Sequence, residues 1–368
     1  NGRYSVMLTA AGSGYSAWRG LAMTRWREDA TCDNWGSFIF LRDVASGDVW
    51  SATLQPVGTE PDSYEAAFNE DHSEFARRDG ALATTLQVLV SAEDDAEVRR
   101  VTISNYGDSA REIEITSYAE LVLAPQAADV AHPAFSKLFV ETEHLAGLGA
   151  LVATRRRRSP TEPQIWAAHL AVVDGDARGQ REFETDRARF IGRGGTVRCP
   201  AAIVAGRPLS CTTGAVLDPI FALRRRVRVA PGTSARVDFW TMAASSRAQV
   251  LDLADKHHDA GAFQRAAALA WTQAQIQLHH LGISREEAAQ SQRLAGHIVY
   301  ASPTLRPPSE TIDAGSAGQP GLWSLGISGD LPIMLVRISD IDHLGLAKQA
   351  LQAVEYWRMK QLAVDLVI

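Results

Sequence analysis

The sequence predicts a chain built β first and α after: a large antiparallel β-sandwich, a helical linker, and the opening helices of an α-domain. Three observations carry that prediction. From Asn1 to about Thr241, apolar and polar residues alternate in runs rich in Val, Ile and Thr, punctuated by Gly, Asn and Asp. Beyond Thr241 the apolar spacing changes to one that suits helices. Ser284-Arg-Glu-Glu287 then carries the capping-box pattern, Ser at the cap and Glu three residues later.

Taken in order, residues 3–9 read as a strand. Residues 38–43 and 49–54 flank Val44-Ala-Ser-Gly-Asp48, a short Gly-bearing connection typical of a hairpin. Alternating runs follow at Leu82–Val90, residues 97–103 and residues 113–118, with Asn105-Tyr-Gly-Asp-Ser109 as the turn between the last two. A pattern this long implies sheets packed face to face in a sandwich larger than an immunoglobulin domain. Residues 247–281 are rich in Ala, Leu, Gln and His and read as helices. The capping box opens another helix through Tyr300, which Pro303 and Pro307-Pro308 end. A Gly-rich loop, residues 315–329, leads into Leu331-Pro-Ile-Met-Leu335 and a long amphipathic stretch, residues 342–362. The expected division is a β-domain over 1–241, a helical linker over 242–283 and the first helices of an α-domain over 284–368.

Composition narrows the function. With 368 residues, 46% hydrophobic and 22% charged, the chain is long enough for more than one globular domain and is not a disordered sequence. The 37 Lys+Arg against 43 Asp+Glu give a net charge of −6, against nucleic-acid binding, which favours a basic excess. Three scattered cysteines, Cys32, Cys199 and Cys211, suit a reducing compartment rather than a disulfide framework or thiolate metal site. No apolar run is long enough to span a bilayer and no signal-peptide pattern opens the chain, so a cytosol-type chain is expected. Asn1 runs straight into a strand-like segment and residues 362–368 end apolar, the expectation being an excised part of a larger protein.

Two clusters could carry chemistry. The first is Gly12-Ser-Gly-Tyr15-Ser-Ala-Trp18 with Met23-Thr-Arg25-Trp26-Arg27-Glu28-Asp29. Sugars present flat apolar faces edged with hydroxyls, which aromatic rings and Arg/Asp forks match by stacking and bidentate hydrogen bonds. The alternative is a surface loop whose tryptophans pack on the sandwich. The second is the loop Gly318-Gln-Pro-Gly-Leu322-Trp323-Ser-Leu-Gly-Ile-Ser328-Gly329-Asp330, with one aromatic and one carboxylate. Asp330, just ahead of Leu331-Pro332, reads equally as a helix cap. No Lys-Ser/Thr follows its glycines, so it is not a phosphate-binding P-loop. The acidic run from Glu93 to Glu97 reads as a solvated hairpin turn. Arg155-Arg-Arg-Arg158 and Arg224-Arg-Arg226 read as solvated faces or contacts to a neighbouring domain. The pairs His257-His258 and His279-His280 lack the i, i+4 spacing that aims two rings at one metal from a helix. No metal, no cofactor and no nucleophilic Ser or Cys motif is expected.

Several long motifs point to a family. Residues 1–7 and 12–18, Thr24-Arg-Trp-Arg-Glu-Asp-Ala-Thr31, residues 37–43, Ala131-His-Pro-Ala-Phe-Ser-Lys137 and Phe139-Val-Glu-Thr142 belong to the set, as do Gly321-Leu-Trp-Ser-Leu-Gly-Ile-Ser-Gly-Asp-Leu-Pro332 and Glu355-Tyr-Trp-Arg-Met-Lys360. Together they resemble the phosphorylase-like region of bacterial cyclic β-1,2-glucan synthases. That region is grouped with cellobiose and chitobiose phosphorylases in glycoside hydrolase family 94, formerly glycosyltransferase family 36.

The resemblance implies an N-terminal β-supersandwich, a helical linker and the start of an (α/α)6 barrel. It implies inverting phosphorolysis, in which one carboxylic acid protonates the glycosidic oxygen while inorganic phosphate, the co-substrate, attacks the anomeric carbon from the opposite face. In the synthases this region is understood to set chain length. The implied general acid and phosphate cradle lie outside the residues present here, so no catalytic residue is assigned. Trp323, Ser328 and Asp330 match the first barrel loop, which shapes the donor sugar subsite. Tyr15, Trp18, Arg25 and Trp26 match the sandwich segment that borders the active site. Where cellobiose phosphorylases carry an Arg-Asp pair, this chain has Gly326-Ile-Ser-Gly-Asp330. Expected partners are a β-1,2-glucan oligosaccharide, the rest of the parent polypeptide and a second copy of the chain, with no nucleic acid. The parent is expected on the cytoplasmic side of the bacterial inner membrane, anchored by other segments. The alternatives are a stand-alone β-1,2-oligoglucan phosphorylase and a non-catalytic carbohydrate-binding or assembly module.

Overall fold

The structure is a computed structural model that describes residues 1–29, 31–300, 305–315 and 317–368. Two compact units emerge, one over residues 3–271 and one over residues 272–368, with the helix Ala262–Leu281 running through the division.

The first unit holds two eight-stranded antiparallel sheets. One runs Tyr4–Leu8, Gly14–Trp18, Leu21–Thr24, Arg111–Ala124, Pro219–Val229, Asp176–Asp186, with Phe38–Asp43 also paired to Arg111–Ala124 and Val49–Ser51 outside it. The other runs Val140–Leu145, Ala150–Arg155, Trp166–Asp174, Ser234–Ala244, Ala96–Asn105, Leu82–Val90, His72–Asp79, Ser63–Phe68. The strands expected at residues 38–43, 82–90, 97–103 and 113–118 are present; the one expected at 49–54 stops at Ser51. Between residues 43 and 49, Asp43 Oδ1 accepts from the backbone N–H groups of Ala45 and Ser46, and Gly47 takes a φ of 79°, which closes the hairpin.

Phe75, Val101, Ile103, Ile115, Phe221, Leu223 and Phe239 fill the space between the sheets. The outer faces are covered too. Val250, Ala254, Phe263 and Ala266, from the helices Arg247–Lys256 and Ala262–Leu281, pack on Val98, Leu170, Trp240 and Met242. On the other sheet, Phe190 and Ile203 from the short helices Arg187–Ile191 and Ala201–Val204 pack on Phe38, Phe40 and Tyr118. Central strands are therefore buried on both sides, and Arg111–Ala124 is buried at nearly every position.

That double burial corrects two surface readings. Arg224 and Arg225 are buried, not solvated; Arg224 donates to the carbonyls of Ala202 and Arg207 beneath the short helix. The acidic run is no free turn either. Asp95 binds Arg3 and Trp18, Asp94 pairs with Lys256 and His257, and Glu97, itself buried, accepts from Ser16.

In the second unit Ser284 caps the helix Arg285–Val299 with both capping-box bonds in place, and Tyr300 follows at its C-cap; Pro303 lies outside the described residues. The amphipathic stretch forms the helix Leu344–Met359. Ala288, Ala353, Val354 and Trp357 form a core between these helices, closed by the bond from Trp357 Nε1 to the Ser291 carbonyl at 2.8 Å. Not expected from the sequence are the short helices Ser309–Asp313 and Pro320–Trp323 and a parallel pairing of Ile333–Leu335 with Asp365–Val367.

Candidate functional site

The aromatic–basic cluster of the first unit is mostly turned inward. Gly14, at a φ of 150°, lies so close to strand Tyr4–Leu8 that a Cβ would sit 1.9 Å from the Met7 carbonyl oxygen. A Cβ on Gly12 would collide with Thr53. These glycines admit neighbouring protein atoms, the Met7 backbone at Gly14 and the Thr53 side chain at Gly12, not a ligand. The tight entry drives Trp18, 3% exposed, into the core, where its Nε1 bonds Asp95 at 2.7 Å. Trp26 is buried as well, and Tyr15 tilts against it with 5.8 Å between ring centroids. Stacking a sugar on Trp18 or Trp26 would need surface that packing has consumed; of the four residues, Tyr15 keeps partial exposure.

Arg25, 3% exposed, is the centre of a buried ion network. Its Nε and Nη2 reach the two oxygens of Asp129 at 3.2 Å each, and its Nη1 reaches Glu120 at 2.5 Å. Asp129 also takes Arg27 at 2.6 Å, and Glu120 takes Arg187 at 2.7 Å and the Tyr118 hydroxyl at 2.8 Å. Burial opposes both charges, yet Arg187 and Arg25 hold the Glu120 carboxyl below its usual range, and Arg25 and Arg27 do the same for Asp129. The network fastens the exit of strand Arg111–Ala124 to the short helix Gln126–Ala131. Arg25 is thus committed to protein carboxylates, and the direct sugar contact implied for it does not fit its fork. Residue types alone could not name Glu120, Asp129 and Asp218 as its partners, since they lie about a hundred or more residues away.

The second cluster keeps its polar edge open. The short helix Pro320–Trp323 ends as Gly326, at a φ of 74°, turns the chain, and Ile327 N–H bonds the Leu322 carbonyl. Trp323 is 62% exposed, and its Nε1 donates to the Ser328 carbonyl at 3.3 Å. Gln319 Nε2 donates to that carbonyl at 2.9 Å and to Asp330 Oδ1 at 3.0 Å, while Asp330 N–H donates to Ser328 Oγ. Gly329 takes a φ of 73°, a left-handed conformation that favours glycine, and a Cβ there would sit 2.9 Å from Gln319 and 3.0 Å from Leu322. The loop therefore brings Trp323, Ser328 and Asp330 together around Gln319, whose residue type alone does not mark it as part of a site. The helix-cap reading of Asp330 fails: a strand, Ile333–Leu335, follows, and the carboxylate accepts from a side-chain amide. Among the described residues nothing donates to its Oδ2. An exposed indole beside a half-used carboxylate and a hydroxyl can stack a pyranose ring and accept from its hydroxyls.

Among the described residues no three His, Cys, Asp or Glu side chains gather as a metal-ligand set. The three cysteines are exposed and unpaired.

Known proteins are similar to this chain in sequence. Cyclic beta-(1,2)-glucan synthase NdvB of Rhizobium meliloti (strain 1021) is 44% identical over all 368 residues, which cover 13% of that protein. Solabiose phosphorylase of Paenibacillus borealis is 25% identical over 53% of this chain and 24% of its own length. N,N'-diacetylchitobiose phosphorylase of Vibrio furnissii is 28% identical over 58% of this chain and 26% of its own length. The chain thus spans about a quarter or less of each relative. Across residues 1–260, both sheets and the first covering helix match the glycosyl hydrolase 94 supersandwich domain, and the chain belongs to that family.

Proposed function

We propose that this chain forms the supersandwich, linker and first barrel helices of a phosphorylase-like unit acting on β-1,2-glucan within a cyclic glucan synthase. The observation that carries the reading is the loop 319–330, where Trp323 is exposed beside the open Oδ2 of Asp330. The 44% identity to a cyclic glucan synthase along the whole chain supports the substrate class, and the relatedness to two phosphorylases supports the chemistry.

In this reading Trp323 stacks on the donor glucose, and Asp330 and Ser328 hold its hydroxyls. A general acid supplied by another part of the barrel protonates the glycosidic oxygen. Phosphate then attacks the anomeric carbon from the opposite face, so the β-linkage yields α-glucose 1-phosphate. Within the supersandwich, Tyr15 keeps partial exposure and is backed by the buried Trp26. Shortening linear glucan this way would set chain length before ring closure. The parent would sit at the cytoplasmic face of the bacterial inner membrane, held by other segments; among the described residues no helix is long and apolar enough to cross a membrane.

The test is to incubate the full-length protein with β-1,2-glucan and phosphate and assay glucose 1-phosphate. Phosphate-dependent release by the full-length protein, and none by the chain of residues 1–368, is the expected result. Glucan binding without any phosphate-dependent turnover of the full-length protein would replace this reading with a carbohydrate-binding module.

A further inference from the structure

One cationic cluster in the sandwich meets no carboxylate among the described residues. Arg225 lies on strand Pro219–Val229, where alternation puts it on the same side as Leu223 and Val227, in the layer between the sheets. It is 6% exposed, and its Nη1 donates to the Arg224 carbonyl at 3.0 Å. Its neighbours on the strand each have carboxylates: Arg224 pairs with Glu182, and Arg226 with Glu112 and Glu114. Among the described residues Arg225 meets none, and its Nε and Nη2 have no acceptor.

A second guanidinium lies close by. The pairing of Asp176–Asp186 with Pro219–Val229 shifts register between Arg178 and Glu182, and the extra residues, with Gly179 at a φ of 67°, put Arg181 beside Arg225. Arg181 reaches over the hairpin turn at Gly149, where a Cβ would sit 2.6 Å from its Nη1, and it too meets no carboxylate among the described residues. From the other sheet His144 stacks on Phe183 at 4.1 Å, and Phe183 lies two residues from Arg181 on the same strand face. Burial and the nearby Arg181 pull the Arg225 guanidinium down to about 10, and burial and Arg225 hold the His144 ring below its ordinary range. Two unpaired arginines and a neutral imidazole thus converge from three elements.

The geometry points to an oxyanion site at Arg225, Arg181 and His144, taking a phosphate dianion, either inorganic phosphate or the phosphate of a sugar phosphate. Two arginine forks supply the charge and paired donors that a tetrahedral dianion accepts, and the imidazole adds one donor from the opposite sheet. The site stands apart from the proposed phosphorolysis, whose phosphate handling lies elsewhere.

Calorimetric titration of the chain at fixed ionic strength, with inorganic phosphate in one arm and glucose 1-phosphate in the other, tests it. Saturable one-site binding is expected, weakened about tenfold or more in Arg181→Ala and lost in Arg225→Met. Tighter binding of glucose 1-phosphate identifies a sugar phosphate, and binding of inorganic phosphate alone identifies the free ion. Should Arg225→Met not fold, Arg181→Ala, an exposed position with its fold checked by circular dichroism, decides. No saturable heat in either arm, or unchanged binding in Arg181→Ala, overturns the site.

Discussion

The indole Nε1 of Trp18 donates to Oδ2 of Asp95 at 2.7 Å, while Arg3 holds the other carboxylate oxygen at 2.6 Å. This anchor ties the first strands of one sheet to the turn that opens Ala96–Asn105 in the other. Trp18→Phe keeps a six-membered aromatic ring and removes the N–H together with the five-membered ring that carries it. It should destabilise the chain by about 1.5–3 kcal/mol, the range for hydrogen bonds to charged groups. Urea denaturation measures this, and a change within experimental error would mean that solvent satisfies Asp95 as well as the indole does.

His169 sets an acid limit on stability. It is sandwiched between Phe221 and Phe239, with Ser117 at 2.8 Å on Nε2 and Thr241 at 2.9 Å on Nδ1. Burial pushes its pKa from 6.5 down to about 3, so the folded chain keeps it neutral. An unfolded chain protonates this ring as pH falls through 6.5, and the folded one does not, so its contribution is present above 6.5 and is lost towards 3. One such group should cost roughly 2 kcal/mol between about pH 6.5 and pH 5. His257 and His144 are also lowered by burial and act in the same direction, whereas His72, raised by Asp71, acts against them. Urea melts at the two pH values should show the loss, and His169→Gln should flatten it. An equal slope in that variant would assign the proton uptake to other groups.

Much of the sandwich was legible because alternation survives wherever one face of a strand differs from the other, as in Leu82–Val90. It fails in the central strands. There Glu114, Arg224 and Arg225 are buried beneath covering helices or between sheets, and a local window reads their charge as surface. The acidic run misled for a similar reason: its partners Trp18 and Lys256 are 77 and 163 residues away. At the candidate site, the sequence pointed to Trp323, Ser328 and Asp330, but only geometry separated this exposed loop from the inward-turned Trp18, Arg25 and Trp26. The pairing of residues 333–335 with 365–367 is too short to leave a pattern.

Ser284 accepts from Glu287 N–H at 3.2 Å, and Glu287 Oε2 accepts from Ser284 N–H at 2.7 Å. Ser284→Ala should destabilise the helix Arg285–Val299 by about 1 kcal/mol, and Ser284→Gly by only a few tenths. Hydrogen exchange of the first-turn amides reads this directly. Equal protection in the wild-type chain and the alanine variant would show that packing on Ala353 and Trp357, not the cap, holds the helix start.

Asp330 is held in place by Gln319 at 3.0 Å and keeps its second oxygen open beside Trp323. A carboxylate used structurally would show its worth in stability, and one used for a sugar would show it in turnover. Asp330→Asn preserves size and the acceptor that faces Gln319, and removes only the charge. In the full-length protein it should leave the melting temperature unchanged and lower phosphorolysis kcat/KM roughly ten- to a hundredfold. That loss corresponds to about 1.5–3 kcal/mol for a charge-assisted bond to a sugar hydroxyl. Gln319→Leu frees the carboxylate without removing it, so its effect should be smaller and fall mainly on KM. Trp323→Ala should raise KM for glucan as the stacking face is lost. Full turnover in Asp330→Asn would exclude the carboxylate as a sugar ligand, and an unchanged KM in Trp323→Ala would exclude the indole as its platform.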